Sequence, residues 1–306
     1  MKDILTFLKD EGMDPALLDG LRDFRAQHKT PEELTSRVPS NLVRYLGTPV
    51  WEKSTAALLS GKNLLLAGPK ATGKNVLAES LAEAFGRPVW NVSFHIGADA
   101  SSLVGTDTYD GERVVFREGP VTKCARYGGF GILDEINMAR NEALAVLHSA
   151  LDFRRILDIP GYELVKLEES TRFIATMNYG YAGTRDLNEA LASRFVVLDM
   201  PLITRDNLIR LIRDHAPKLR SERSEELADL FFDLEKKAES AEVSGKAADL
   251  RGLLDAIDLC GHGLSAGDAL TMCIADKTFD PYEKKLITDV IDERIDPALK
   301  GCDLFD

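Results

Sequence analysis

The spacing of apolar positions changes several times along this chain, and each change marks a different kind of element. Residues 1 to 36 carry Ile4, Leu5, Phe7 and Leu8, then Leu17, Leu18, Leu21 and Phe24, spaced as in short amphipathic helices. From Val38 the pattern shifts. A helix is predicted over Trp51 to Leu59, closed by Gly61, and Asn63-Leu-Leu-Leu-Ala67 follows as a buried strand bounded by glycines. Short apolar strands are then predicted at 88–93, 131–134, 172–177 and 195–200, alternating with helical stretches. Such alternation signals a parallel sheet covered by helices on both faces. After Pro201 the strands cease, and residues 203 to 300 repeat leucine and isoleucine at helical spacing, as in Leu208, Leu211 and Ile212, then Leu227, Leu230, Phe231 and Leu234. The expected organisation is therefore a helical segment over 1–36, an α/β domain over 37–201 and a helical domain over 202–306.

Bulk composition narrows the function classes. The chain has 306 residues, 44% hydrophobic and 29% charged, as a soluble globular protein has, and its formal charge is −12. A negative chain provides no general field for a polyphosphate backbone, so nucleic acid is an unlikely partner. The opening MKDILTFLKDEGMD breaks the apolar run that a signal peptide needs, and no later run is long enough to span a membrane. A cytoplasmic location is expected. Cys124, Cys260, Cys273 and Cys302 are scattered without a CxxC pair, which predicts reduced thiols rather than zinc ligands or disulfides. The acidic stretch Ser221 to Glu242 mixes Glu, Lys and Arg as a solvated helix face does.

The chemistry concentrates in two places. Gly68-Pro69-Lys70-Ala71-Thr72-Gly73-Lys74-Asn75 fits the G-x-x-x-x-G-K part of a phosphate-binding loop and lies between a strand and the helix predicted from Val76 to Phe85. Glycines let the backbone curl so that N–H groups point inward, the helix N-terminus adds positive potential, and Lys74 reaches the terminal phosphates of a nucleotide. Asn75 stands where a Ser or Thr hydroxyl usually ligates Mg²⁺. An amide oxygen also coordinates a hard cation but is bulkier and differently aimed, so slower turnover is expected. Downstream, the strand Gly129-Phe-Gly-Ile-Leu-Asp134-Glu135 ends in two carboxylates, at the end of the sheet where ligands bind in open α/β folds. Asp134 suits Mg²⁺, held directly or through water, and Glu135 suits activation of an attacking water. Asn178 closes another strand, where an amide can fix that water or simply form a turn.

In order and spacing these motifs resemble the AAA+ ATPases, and within them the MoxR and CbbQ/NorQ-like, dynein-related branch. Leu133-Asp-Glu-Ile-Asn-Met-Ala139 is similar to its Walker B segment. Ser102-Leu-Val-Gly-Thr106 and Glu118-Gly-Pro-Val121 are similar to its helix-2 insertion and the helix start that follows. The resemblance covers residues 38 to 260, with Asn75 as a departure. It implies a P-loop NTPase three-layer α/β/α core followed by an all-helical lid, with ATP and Mg²⁺ as ligands. By resemblance Asn178 matches sensor 1, Arg194 the arginine finger given to a neighbouring subunit, and Arg251 sensor 2 on the lid; Arg185 and Arg172 compete with Arg194 for the finger role. Residues 68–76, from Gly68 to Val76, would cradle the nucleotide, with Asn75 and Asp134 at the metal. Stretch 97–113 resembles the branch's helix-2 insert at the ring's pore, and stretch 153–167, with the turn signals of a hairpin, resembles its presensor 1 hairpin. The family implies a ring, commonly a hexamer, that remodels a client such as a metalloenzyme or a von Willebrand factor A domain protein. Two alternatives stay open: a slow nucleotide-dependent switch or scaffold, and a nucleic-acid-acting AAA+ protein.

Overall fold

A computed structural model describes residues 3–40, 43–159, 161–179 and 187–306. The chain divides into two compact units, Met1–Pro201 and Leu202–Asp306. In the first, five parallel strands form a sheet: β1 (Asn63–Gly68), β2 (Val89–Ser93), β5 (Phe130–Asp134), β8 (Arg172–Asn178) and β9 (Phe195–Asp199), in the order β2-β5-β8-β1-β9. Two antiparallel hairpins stand apart from it, β3 (Gly105–Tyr109) with β4 (Val114–Glu118), and β6 (Ile156–Asp158) with β7 (Leu164–Lys166).

The central strands are apolar throughout because both faces are covered. Leu64 and Leu66 point to one side with Phe130, Ile132 and Ile174, while Leu65, Leu133, Phe173 and Ala175 point to the other. The first side is filled by helices Thr48–Leu59 and Lys74–Phe85, and also by the N-terminal helices Ile4–Asp10 and Pro15–Gln27. Phe24 meets Phe85 edge-on with ring centroids 4.9 Å apart, and Phe85 lies 5.2 Å from Phe130 of β5. An aromatic chain thus ties the second helix of the sequence to a central strand. The opposite side packs on helix Pro120–Tyr127 through Val121 and Cys124, and on Leu147 and Leu151. Gly131 has to be glycine here, since a Cβ would meet the Phe173 ring at 2.5 Å.

This is the α/β/α architecture of a P-loop core followed by a helical region. The second unit consists of helices, including Arg205–His215, Ser221–Glu239, Leu250–Gly261, Ala266–Cys273 and Pro281–Arg294, around Leu208, Ile212, Leu230, Leu253, Leu270 and Ile291. An isolated bridge pairs Leu219 with Phe305. Among the described residues no helix is long and apolar enough to cross a membrane.

Because Phe24 is part of the sheet's core, Phe24→Ala should destabilise the protein by about 3 kcal/mol or more, as buried Phe truncations do. Urea unfolding reads this directly. A change below about 0.5 kcal/mol, the scale of surface substitutions, would place the N-terminal helices outside the cooperative core.

Candidate functional site

The register of the sheet decides which residues meet. Gly68 at the end of β1 lies beside Asn178 of β8, Leu133 of β5 beside Ala175 of β8, and Ser93 of β2 beside Asp134. Parallel strands carry their carboxyl ends to the same edge, so the loop after β1, the acidic pair after β5 and the amide at the end of β8 assemble there.

After Gly68 the chain turns through Ala71 (φ 62°) and Gly73 (φ 77°) before entering helix Lys74–Phe85. The helix starts two residues earlier than the sequence pattern predicts, which puts Lys74 and Asn75 in its first turn. The Lys74 side chain arches back over its own loop, and Nζ donates to Gly68 O at 3.0 Å, Pro69 O at 2.5 Å and Thr72 Oγ1 at 3.2 Å. Lys74 is only 7% exposed, and those partners are neutral. Burial lowers the ammonium's pKa to about 8, with Asp134 and then Glu135 pulling the other way through space. The residues fit a phosphate group: a desolvated cation bonded only to neutral oxygens is what an anion relieves. Asn75 is half-buried beside it, and Pro69, Lys70 and Val76 complete the loop and the turn that follows.

Across from the loop, Thr176 joins the acidic pair. Its Oγ1 donates to Asp134 Oδ1 at 2.6 Å and accepts from the Glu135 N–H at 3.0 Å. Glu135 has a left-handed backbone (φ 54°), unusual for a residue with a side chain, and the Thr176 bond helps to hold that turn. Asn178 Nδ2 donates to Glu135 Oε1 at 3.1 Å, and Asn137 Nδ2 donates to Asn178 O at 2.9 Å. Glu135 and Asn178, predicted separately, are thus hydrogen-bonded partners.

Two contributors escaped the sequence reading. Thr176 carried a signal, since it shares the strand face of Asn178 two residues on. Tyr45 carried none: its ring packs against Gly73, where a Cβ would come within 3.1 Å of it, and burial raises its phenol to about 12. Its backbone carbonyl accepts from Trp51 Nε1 at 2.9 Å, which ties the Tyr45 backbone to the helix Thr48–Leu59.

The arginines separate clearly. Arg194 donates through Nε to His148 O at 3.2 Å and through Nη1 to Ala190 O, and lies 3.9 Å from Asp152, so its described partners are not the acidic pair. Arg172 is buried at the start of β8, donating to Leu58 O, Glu169 O and Thr171 O at 2.6–2.9 Å. Seven residues of strand place it about 20 Å from the edge where Asn178 lies. Arg172, 6% exposed with its guanidinium on three carbonyls, therefore anchors the strand start rather than offering a cation to another copy. Arg185 lies outside the described residues. Arg251 is exposed in the first turn of helix Leu250–Gly261, in the other unit. Of the two insertions, the first is helix Ala100–Val104 followed by the β3–β4 hairpin, which runs to Glu118 and so beyond the predicted stretch, and the second is the β6–β7 hairpin.

A phosphate loop and an acidic strand end on one edge of a five-stranded parallel sheet define a P-loop nucleotide-binding ATPase fold. The sequence profile of the AAA domain, dynein-related subfamily, matches residues 63–195. Bacillus subtilis YojN is 35% identical over 239 residues, 76% of this chain and 78% of its own length. Staphylococcus aureus SAB1265c and Staphylococcus haemolyticus SH1500 are each 34% identical over 249 residues, 79% of this chain and 94% of theirs. A crystal structure from Cytophaga hutchinsonii is 15% identical, covering 92% of this chain and 88% of that one, at a TM-score of 0.47. The chain belongs to the AAA+ ATPase family, in its dynein-related branch.

Members of this family bind nucleotides, and the Lys74 shift gives that binding a pH signature. With a starting pKa of about 8, the ammonium is part-neutral at mildly alkaline pH, and an adjacent phosphate raises its pKa. Nucleotide binding should take up a proton as pH passes upward through about 8, and affinity should then fall by up to about tenfold per pH unit. Calorimetry in buffers of different ionisation enthalpy measures the uptake. A flat affinity from about pH 7 to about pH 9.5 would contradict the assignment of Lys74.

Proposed function

We propose that the protein binds ATP with Mg²⁺ at the edge formed by Lys74, Asp134, Glu135 and Asn178, hydrolyses it, and uses the cycle to remodel a partner protein. The observation that carries this reading is the buried Lys74 ammonium beside an acidic pair that Thr176 holds in register.

Each residue's task follows from its chemistry. Residues Gly68 to Val76 would wrap the phosphates with backbone N–H groups, while Lys74 neutralises the terminal ones. Asp134, half-buried and bonded to Thr176, is an oxygen ligand suited to Mg²⁺, and Asn75 offers a second from the helix's first turn. Bound Mg²⁺ would supply charge neutralisation at the phosphates. Glu135 accepts a proton from water, and Asn178, hydrogen-bonded to the same carboxylate, orients that water. Arg194 would serve a neighbouring copy's phosphates, since a guanidinium offers forked donors to phosphate oxygens and its described contacts lie away from its own chain's acidic pair. Arg251 would read the nucleotide from the helical unit.

This scheme implies a ring of copies, by family resemblance a hexamer, whose two hairpins face the client. By the same resemblance the client is a metalloenzyme or a von Willebrand factor A domain protein, and the net charge of −12 disfavours nucleic acid. Asn75 supports a second reading, a slow switch in which ATP mainly holds the assembly together.

ATP turnover of the wild type against Glu135→Gln separates the two. For a motor, loss of the general base should cost on the order of 10²-fold or more in turnover with ATP affinity retained. An already negligible wild-type rate, little changed by the substitution, favours the switch, and absence of ATP binding removes both. Asn75→Thr should raise a motor's turnover by restoring the hydroxyl ligand.

A further inference from the structure

Helix His148–Leu151 is followed by Asp152-Phe153-Arg154-Arg155, where the structure sorts two adjacent arginines to opposite fates. Arg155 turns inward with a left-handed backbone (φ 50°), and its Nη2 donates to Glu168 O at 2.9 Å and Thr171 O at 3.1 Å. Arg154 stays half exposed, and grips Asp152 through Nε at 3.1 Å to both carboxylate oxygens and through Nη2 at 2.7 Å to Oδ2. The Arg194 guanidinium approaches that same Oδ2 at 3.9 Å. One carboxylate, 13% exposed, therefore holds two arginines side by side. Between Asp152 and Arg154 in sequence, Phe153 stands 93% exposed, an aromatic ring with nothing covering it in the described chain.

We propose that Arg154 is a second trans-acting arginine: with Arg194 it forms a two-guanidinium grip for the phosphates bound by the adjoining copy, and Asp152 is the positioning residue that keeps both aligned. This rests on the reading of Arg194 as the residue offered to a neighbour.

Two guanidinia on one carboxylate carry a net positive charge, and Arg154 holds Asp152 through Nε and Nη2, which leaves its Nη1 to meet a phosphate oxygen while Asp152 stays in place. A grip needs its cations fixed before the anion arrives, and the backbone bond from Arg154 N to Asp152 Oδ1 at 2.9 Å locks the turn that aims the side chain. Phe153, adjacent to Arg154 in the chain, gives this turn the apolar anchor that a contact between copies requires. The occupant is thus a second copy of this chain, presenting its own Lys74 loop.

Subunit mixing tests the proposal. Arg154→Ala alone should lose at least about tenfold in ATP turnover, a modest share of what a single trans-acting arginine supplies. Mixed in equal amounts with Lys74→Ala, itself inactive, it should recover turnover, because some sites then combine an intact loop from one variant with intact arginines from the other. A purely structural role in cis would not be rescued this way. Arg194→Ala is mixed in parallel, and Arg154→Gln, which keeps most of the side chain, repeats the measurement with thermal midpoints compared to the wild type. Wild-type turnover in both Arg154 variants overturns the proposal, as does a loss that Lys74→Ala does not rescue while it rescues Arg194→Ala; either result leaves the ring ATPase intact. Failure to rescue both arginine variants removes the shared site, and this proposal with it.

Discussion

Taking one ammonium group out of water sets the terms for the rest of the site. Lys74 is held by carbonyl and hydroxyl oxygens of its own loop, and those three bonds keep the turn closed while leaving the charge uncompensated at close range. Asp134 and Glu135 act on it only through space. The arrangement is a compromise: a fully paired lysine would gain little from phosphate, and a solvated one would cost nothing to leave empty-handed. The desolvation borne by the folded chain is what a bound anion would relieve.

Holding the carboxylates opposite that lysine takes a second investment. Glu135 adopts a left-handed backbone that costs a side-chain-bearing residue on the order of 1 kcal/mol, and the Thr176 hydroxyl helps to offset it by accepting from the strained peptide. The same hydroxyl donates to Asp134, so one side chain fixes the positions of both acids. Asn178 then ties Glu135 to the neighbouring strand. Lys74, Asp134, Glu135 and Asn178 come from three strand ends, and a one-residue slip between β5 and β8 would scatter them.

Much of this was legible before folding, for reasons of locality. The loop from Gly68 to Lys74 is a contiguous segment whose conformation its own glycines permit, and the helix after it follows from apolar spacing. The acidic pair was recognisable because it ends an apolar run. Thr176 and Tyr45 were not, since their importance depends on which strand and which ring lie beside them. The arginines show the same limit: Arg172 and Arg185 compete with Arg194 by sequence, and only the three carbonyl partners of Arg172 place it buried at the far end of β8. Arg154 and Arg155 are neighbours of identical chemistry that face opposite ways because the backbone of one is left-handed.

The sequence alone determined the fold class, the phosphate loop and the acidic strand end, because strand burial, helix periodicity and glycine-lysine spacing act within a few residues of each other. Only the tertiary structure decided that the helices at residues 4–27 complete the core, that Thr176 bridges both acids, and that Asp152 gathers two arginines. Those outcomes depend on strand order and register, which arise from packing the whole sheet and so are written in no single stretch of the chain.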